Sequence, residues 1–251
     1  IVASGELGKS PAIYMYKWAQ GIDGQPPQFH SLACMRGYHT KAVSQLVFSD
    51  DGKLLFSVGI DYTVAVHSTD EANQKSFGKM LTSSQGPKGK VLHVCYYPTN
   101  DGKTIRFISC GEKHAVLWTL DGKTLKQENI KLGSHKNKFF LCASRCSDDL
   151  AVLSTAEGDM LVIDGTKLAF QYPDAKVAET AKKAAKGGKG KGSTGSSINA
   201  LWYHADEAGK KNWLLAGNKS GEVNVFKVTK DSKLEFVAPA QFLIRGYSAS
   251  S

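Results

Sequence analysis

The chain has 251 residues, of which 41% are apolar, enough to bury a sizeable core in one or two domains. Its formal net charge of +9 is unevenly placed: between positions 176 and 197 six lysines face the single acid Glu179, a local net of +5, and the remainder is close to balanced. That distribution argues against a globally basic nucleic-acid binder, and no apolar run approaches the roughly 18 residues of a membrane-spanning helix.

In chain order, five segments can be laid over one another. They are IVASGELGKSPAIYMYKW (1–18), LLFSVGIDYTVAVHST (54–69), IRFISCGEKHAVLWTL (105–120), LAVLSTAEGDMLVIDG (150–165) and WLLAGNKSGEVNVFKV (213–228). Each is an apolar run ending in a small residue (Gly5, Gly59, Gly111, Ala156 or Gly217), then a short polar turn, then an alternating run. The alternation places Ile13 and Met15, Val64 and Val66, Ala115 and Leu117, Met160 and Val162, and Val223 and Val225 on one face. A period of two predicts half-buried strands, and the intervening turn makes each segment a hairpin.

One bulky position follows each alternating run: Tyr16, His67, Trp118, Ile163 and Phe226, at intervals of 51, 51, 45 and 63 residues. A further strand is predicted ahead of each later hairpin, in AVSQLVFSDDG, KVLHVCYYPTNDG, FFLCASRCSDD and SINALWYHADEAG. The Asp-Gly and Asp-Asp ends of these stretches are turn chemistry. Two units open on RGYHTKAV and LGSHKNKF, which set His39 28 residues before His67 and His135 28 before Ile163. Units of about four antiparallel strands in series, with no helical pattern between them, predict an all-β, WD-repeat β-propeller, whose blades must stack to cover their faces. The pattern contains about four complete blades plus a partial first one that lacks its leading strand. Because Ile1 opens in mid-pattern, the chain is expected to be a piece of a longer polypeptide. A five-bladed ring closed by AQFLIRGY is the alternative.

The ordered segments resemble the WD-repeat portion of the echinoderm microtubule-associated protein-like family. IVASGELGKSPAIYMYKW is similar to that family's blade-opening pattern, RGYHTKAVSQLVFSDDGKLLFSVGID to the next blade, ISCGEKHAVLWTLDG to the following one, and STAEGDMLVIDGTKL continues the series. The likeness runs over about residues 1–170 and 197–228. It departs where the strands mostly lack Trp-Asp, only Trp118 keeping the Trp, and where the lysine-rich stretch replaces an inter-blade connection. The resemblance implies a tandem pair of atypical propellers across residues 1–251 and beyond. It implies action on microtubules in cytoplasm, cytoskeleton or the axoneme of a cilium, as part of a larger assembly and without catalysis or cofactor.

Catalytic and ligand motifs find little support in the residues themselves. Gly8-Lys9-Ser10 lacks the earlier glycine and the following helix of a phosphate loop. His39, Ser57 and Asp61 can be drawn as a hydrolase triad, yet a turn histidine, a strand hydroxyl and a turn aspartate more readily bond one another as structural glue. His93 and His114 read as strand and turn residues. Asp50-Asp51 and Asp148-Asp149 lie in solvated turns. The five cysteines, Cys34, Cys95, Cys110, Cys142 and Cys146, include no CxxC pair, so they read as small buried thiols of a reducing compartment, and no metal site is predicted.

The stretch KVAETAKKAAKGGKGKGSTGSS begins with helix formers and continues with none, so it reads as a flexible insertion within 173–197. Lys176, Lys182, Lys183, Lys186, Lys189 and Lys191 make it a candidate arm for an acidic partner, such as the glutamate-rich tails of tubulin, or a solvated surface loop. Nucleic acid is disfavoured because the arm has neither interleaved aromatics nor arginine. Two functions remain: a non-catalytic microtubule-associated scaffold binding tubulin or axonemal proteins, and a WD-repeat adaptor in an RNA–protein assembly of translation type.

Overall fold

A computed structural model describes residues 1–21, 26–99, 104–147, 149–173, 196–205, 212–229 and 233–239. The first sheet has three strands, β1 (Val2–Gly5), β2 (Ile13–Ala19) and β3 (Gln28–Met35). Four four-stranded sheets follow: β4–β7 (Val43–Phe48, Leu54–Gly59, Thr63–Ser68, Met80–Gln85) and β8–β11 (Val91–Tyr96, Ile105–Gly111, His114–Asp121, Thr124–Asn129); then β12–β15 (Phe140–Arg145, Leu150–Thr155, Met160–Asp164, Lys167–Tyr172) and β16–β19 (Ile198–Ala205, Asn212–Asn218, Val223–Val228, Leu234–Pro239). Within every sheet sequence neighbours pair antiparallel. The leading strands β4, β8, β12 and β16 lie against one another in turn, so the sheets converge on them and fan outward as propeller blades. Among the described residues no helix is long and apolar enough to cross a membrane.

Packing explains the alternating pattern and corrects one part of it. The third strands of blades 2 to 4 are buried on both faces, not on one. Val64 and Val66 pack towards blade 3, Ala115 and Leu117 towards blade 4, and Met160 and Val162 towards blade 5. The residues between them pack backward: Val116 and Trp118 meet blade 2, and Leu161 and Ile163 meet blade 3. Ile13 and Met15 of blade 1 face blade 2 with Val43 and Leu55. Each blade thus donates one face to each neighbour, the two-sided burial otherwise familiar from parallel sheets. In blade 5, Phe226 and Val228 meet blade 4, and the half-buried Val223 and Val225 lie on the opposite face.

The hydrogen-bond ladder also corrects the alignment of small residues. Val43 pairs with Gly59, Val91 with Gly111, Phe140 with Thr155 and Ile198 with Asn218. The equivalent positions are therefore Gly59, Gly111, Thr155 and Asn218; Ala156 lies one residue beyond and Gly217 one before. At Gly111 the glycine is required, since a Cβ would stand 2.0 Å from the Lys90 carbonyl oxygen. A bulge recurs at the second residue of each leading strand, between Val43 and Gln45, Val91 and His93, Phe140 and Cys142, and Ile198 and Ala200. Such bulges increase local twist, which suits strands that converge. The outermost strands β3, β7, β11, β15 and β19 were not individually legible in the sequence: they share no common pattern, and two of them, MLTSSQ and TLKQEN, are mostly polar.

Candidate interaction surfaces

The six lysines singled out by the sequence, Lys176, Lys182, Lys183, Lys186, Lys189 and Lys191, lie outside the described residues, as does AQFLIRGY. The two flanks of the stretch are placed. β15 ends at Tyr172 and β16 starts at Ile198, so the insertion connects the outermost strand of blade 4 to the leading strand of blade 5. Tyr172, Pro173, Ser196 and Ile198 line one cavity of about 330 Å³ at that junction, and Ser196 Oγ lies 3.0 Å from Ser220 Oγ.

The apparent triad is an internal network of blade 2. His39 Nε2 is 2.8 Å from Ser57 Oγ, and the same oxygen is 2.8 Å from His67 Nε2. His39 Nδ1 faces Asp61 Oδ1 at 3.4 Å. Ser57 and His67 have no exposed surface and His39 almost none. Burial works against ionisation of Asp61, but N–H groups of Thr40 and Thr63 and the His39 contact outweigh it and hold the carboxyl below its usual value. Burial also lowers His39, against the pull of Asp61, and pushes His67 down to about 3, so both imidazoles are neutral at pH 7. These states assign the protons. Asp61 only accepts, so His39 Nδ1–H donates to it. His39 Nε2 then accepts the Ser57 hydroxyl, and Ser57 accepts His67 Nε2–H. The bare lone pair of His67 Nδ1 is left over, and that atom is buried without a partner among the described residues. Tyr38 packs over the His67 ring at 5.1 Å. A hydroxyl enclosed this way has no path to a substrate.

Related positions in other blades differ. In blade 3, Trp118 Nε1–H donates to Ser109 Oγ at 2.8 Å, and the indole stacks on Phe107 with centroids 5.9 Å apart. His135, despite its matching distance from Ile163, joins no hydroxyl among the described residues. It sits in a short 3-10 turn, Gly133–His135, and its Nε2 meets Gln171 Oε1 at 3.0 Å. His93 Nδ1 accepts the Ala143 N–H at 3.2 Å, linking leading strands of adjacent blades. Gly8-Lys9-Ser10 forms the bend between β1 and β2, with Gly8 at φ 105° and Ser10 at φ 50°. Cys95, Cys110, Cys142 and Cys146 are buried free thiols and Cys34 is exposed. Burial pushes Cys95 up to about 12 and raises the other three buried thiols, so these four are poor nucleophiles and poor metal ligands.

The leading strands enclose a cavity of about 520 Å³ lined from β4, β8, β12 and β16. Arg145 of blade 4 reaches across it to pair with Asp50 of blade 2 and also lies over the Tyr203 ring, 5.9 Å from its centroid. Trp202, 58% exposed, stacks on His204 at 5.4 Å. An exposed aromatic beside a bridging arginine is contact chemistry typical of protein interfaces. Neither stands out in the sequence, because Arg145 and Trp202 acquire this role only when four distant strands converge.

No protein-family model matches the chain. Among solved structures it is similar to the β-propeller domain of Cps50 (Swd1) from Myceliophteria thermophila, with 15% sequence identity and a TM-score of 0.62 over 97% of this chain and 69% of that one. At that identity the likeness shows the fold, and the fold is a β-propeller built from WD-type blades.

Proposed function

We propose that this chain is a non-catalytic scaffold that binds acidic protein partners, foremost the microtubule surface, through propeller loops and the lysine-rich insertion. The observation that carries the scaffold reading is the closed His67–Ser57–His39–Asp61 network. The one constellation that suggested catalysis is spent on joining a turn to two strands. What the blades offer to solvent is loops, an exposed aromatic and cavities lined by several strands. The microtubule assignment is supported by the family resemblance of the ordered segments and by the charge of residues 176–197, a stretch that in sequence connects blade 4 to blade 5.

Co-sedimentation with microtubules across a salt series, with and without residues 176–195, tests this reading. The intact chain pellets at low salt, and removal of the insertion weakens pelleting and reduces its salt dependence. A chain that fails to pellet but shifts RNA at the same salt would replace the reading with the RNA–protein adaptor.

A further inference from the structure

A cavity of about 690 Å³ lies away from the axial cavity and shares no lining residue with it. The β7–β8 loop, the β9–β10 turn with the start of β10, and the end of β11 with the β11–β12 connection line it, so it sits on blade 3 at its junction with blade 4. Its walls combine two chemistries. Pro87, Ala115, Ile130 and Leu132 supply an apolar lining, three of them from the buried core of this junction. Lys88, Lys113 and Lys136, all exposed, supply three ammonium groups against the single carboxylate of Glu112. No ion pair involves any of these four among the described residues. The neighbouring Lys138, by contrast, is neutralised by Asp159 and by Glu157 at 3.6 Å.

The β9–β10 turn is held firmly in place. Glu112 N–H donates to Lys90 O at 2.9 Å, and Lys113 N–H donates to Lys138 O of the next blade at 3.2 Å. Lys113 is fixed at φ 61°, a conformation that side-chain-bearing residues seldom adopt. His114 Nδ1 lies 3.1 Å from the Glu112 carbonyl and donates to it, which leaves Nε2 as an acceptor. That Nε2 is buried and has no hydrogen-bond partner among the described residues. Burial also lowers the His114 pKa, in keeping with a neutral ring. Gly89 leaves the ring its room, since a Cβ there would stand 2.9 Å from Glu112 O and 3.1 Å from His114 Nδ1.

We infer that this inter-blade cavity is a docking site for an acidic peptide segment of a partner protein, one apolar side chain entering the cavity between flanking carboxylates. The inference rests on the reading of the chain as a binding scaffold, though not on the identity of the filament. Charge complementarity selects a polyanion, the apolar lining selects a side chain, and the unpartnered acceptor of His114 selects a ligand with N–H groups. A peptide has all three. A bare phosphate lacks the apolar group, and the site has neither an arginine fork nor a helix N-terminus for it. Because His114 Nε2 is buried, a peptide N–H that reaches it satisfies an acceptor that otherwise carries the cost of burial.

The test uses the whole chain and a fluorescein-labelled peptide of four glutamates around one leucine, read by anisotropy at low salt. Lys88→Gln, Lys113→Asn and Lys136→Gln together weaken binding about tenfold, with the circular dichroism spectrum unchanged. Peptides with glutamine for glutamate, or glycine for leucine, bind more weakly, and inorganic phosphate competes poorly. Removal of residues 176–195 leaves the affinity within twofold. If instead that removal abolishes binding while the triple variant retains it, or a uridine oligonucleotide displaces the peptide from this site at equal concentration, the inference is overturned. Failure of microtubule pelleting alone, with peptide binding intact, would remove the filament assignment and leave the site standing.

Discussion

Replacing Ser57 with alanine tests the proton assignment of the blade 2 network most directly. The change deletes one oxygen and leaves two ring nitrogens, His67 Nε2–H and His39 Nε2, each 2.8 Å from the missing atom and each out of reach of water. A buried donor or acceptor left without a partner costs about 1–3 kcal/mol, so the pair predicts a loss of about 2–6 kcal/mol. Urea denaturation followed by fluorescence gives the value from the shift in midpoint at constant slope. The decisive comparison is a double-mutant cycle with His67→Phe. In that background the donor is already gone and only His39 is orphaned, so Ser57→Ala costs at least about 1 kcal/mol less. Equal costs in the two backgrounds, or a loss in the native background below about 0.5 kcal/mol, would refute the shared hydroxyl and with it the structural reading of the triad.

Acid should weaken the fold through the same histidines. His67 is pushed down to about 3 and His39 is lowered too, so between the unfolded value of 6.5 and about 3 the unfolded chain binds more protons. Stability is therefore full above pH 6.5 and falls as pH drops, with His67 contributing a slope near 1.4 kcal/mol per unit; stability measured at pH 5.5 and 4.5 gives a shallower slope in His67→Phe. Gly111→Ala drives a Cβ against the Lys90 carbonyl and costs at least about 3 kcal/mol, whereas Gly217→Ala, whose nearest neighbour would be Ala200 Cβ at 3.6 Å, stays within about 1 kcal/mol by the same denaturation assay. Thiol titration of the native chain modifies Cys34 alone, and urea exposes the remaining four; rapid native reaction of more than one thiol would contradict the packing of blades 3 and 4.

Much of the fold was legible because each blade repeats its core pattern in sequence. Strands that meet a neighbour on both sides carry a near-continuous apolar run, as VAVH and AVLW do at 64–67 and 115–118. Read alone, that run shows a strand and its alternation but not that both faces are covered, because the second neighbour lies about fifty residues away in the chain. The outermost strands carried little signal, since a strand with one partner and a solvent-facing edge tolerates polar residues. Small residues misplaced the ladder by one position in blades 4 and 5, since turn length differs between hairpins and only pairing fixes register. The inter-blade cavity was invisible for a related reason. Lys88, Lys113 and Lys136 are scattered over three connections with ordinary turn composition, His114 opens β10, and only the folding of blade 3 against its neighbours brings them together.

Once the ladder fixes equivalent positions, a rule linking two slots emerges. Leu55 pairs with His67, Phe107 with Trp118, Ala151 with Ile163 and Leu214 with Phe226. The residue two places after each first partner is Ser57, Ser109, Leu153 and Ala216, on the same face as the bulky slot. Where the slot holds a ring with an N–H, the neighbour is a serine that accepts it. Where the slot is Ile163 or Phe226, the neighbour is apolar and both join the core. Neither half of the pair is free to change alone: a buried ring N–H opposite Leu153 finds no acceptor, and a serine opposite Phe226 finds no donor. The serine in blade 4, Ser154, falls on the other face and gives its hydroxyl to the Ile198 carbonyl of the next blade at 2.8 Å. The serine–histidine pair of blade 2 is thus one of two self-consistent fillings of a slot that recurs through the blades, and packing alone accounts for Ser57 standing beside His67.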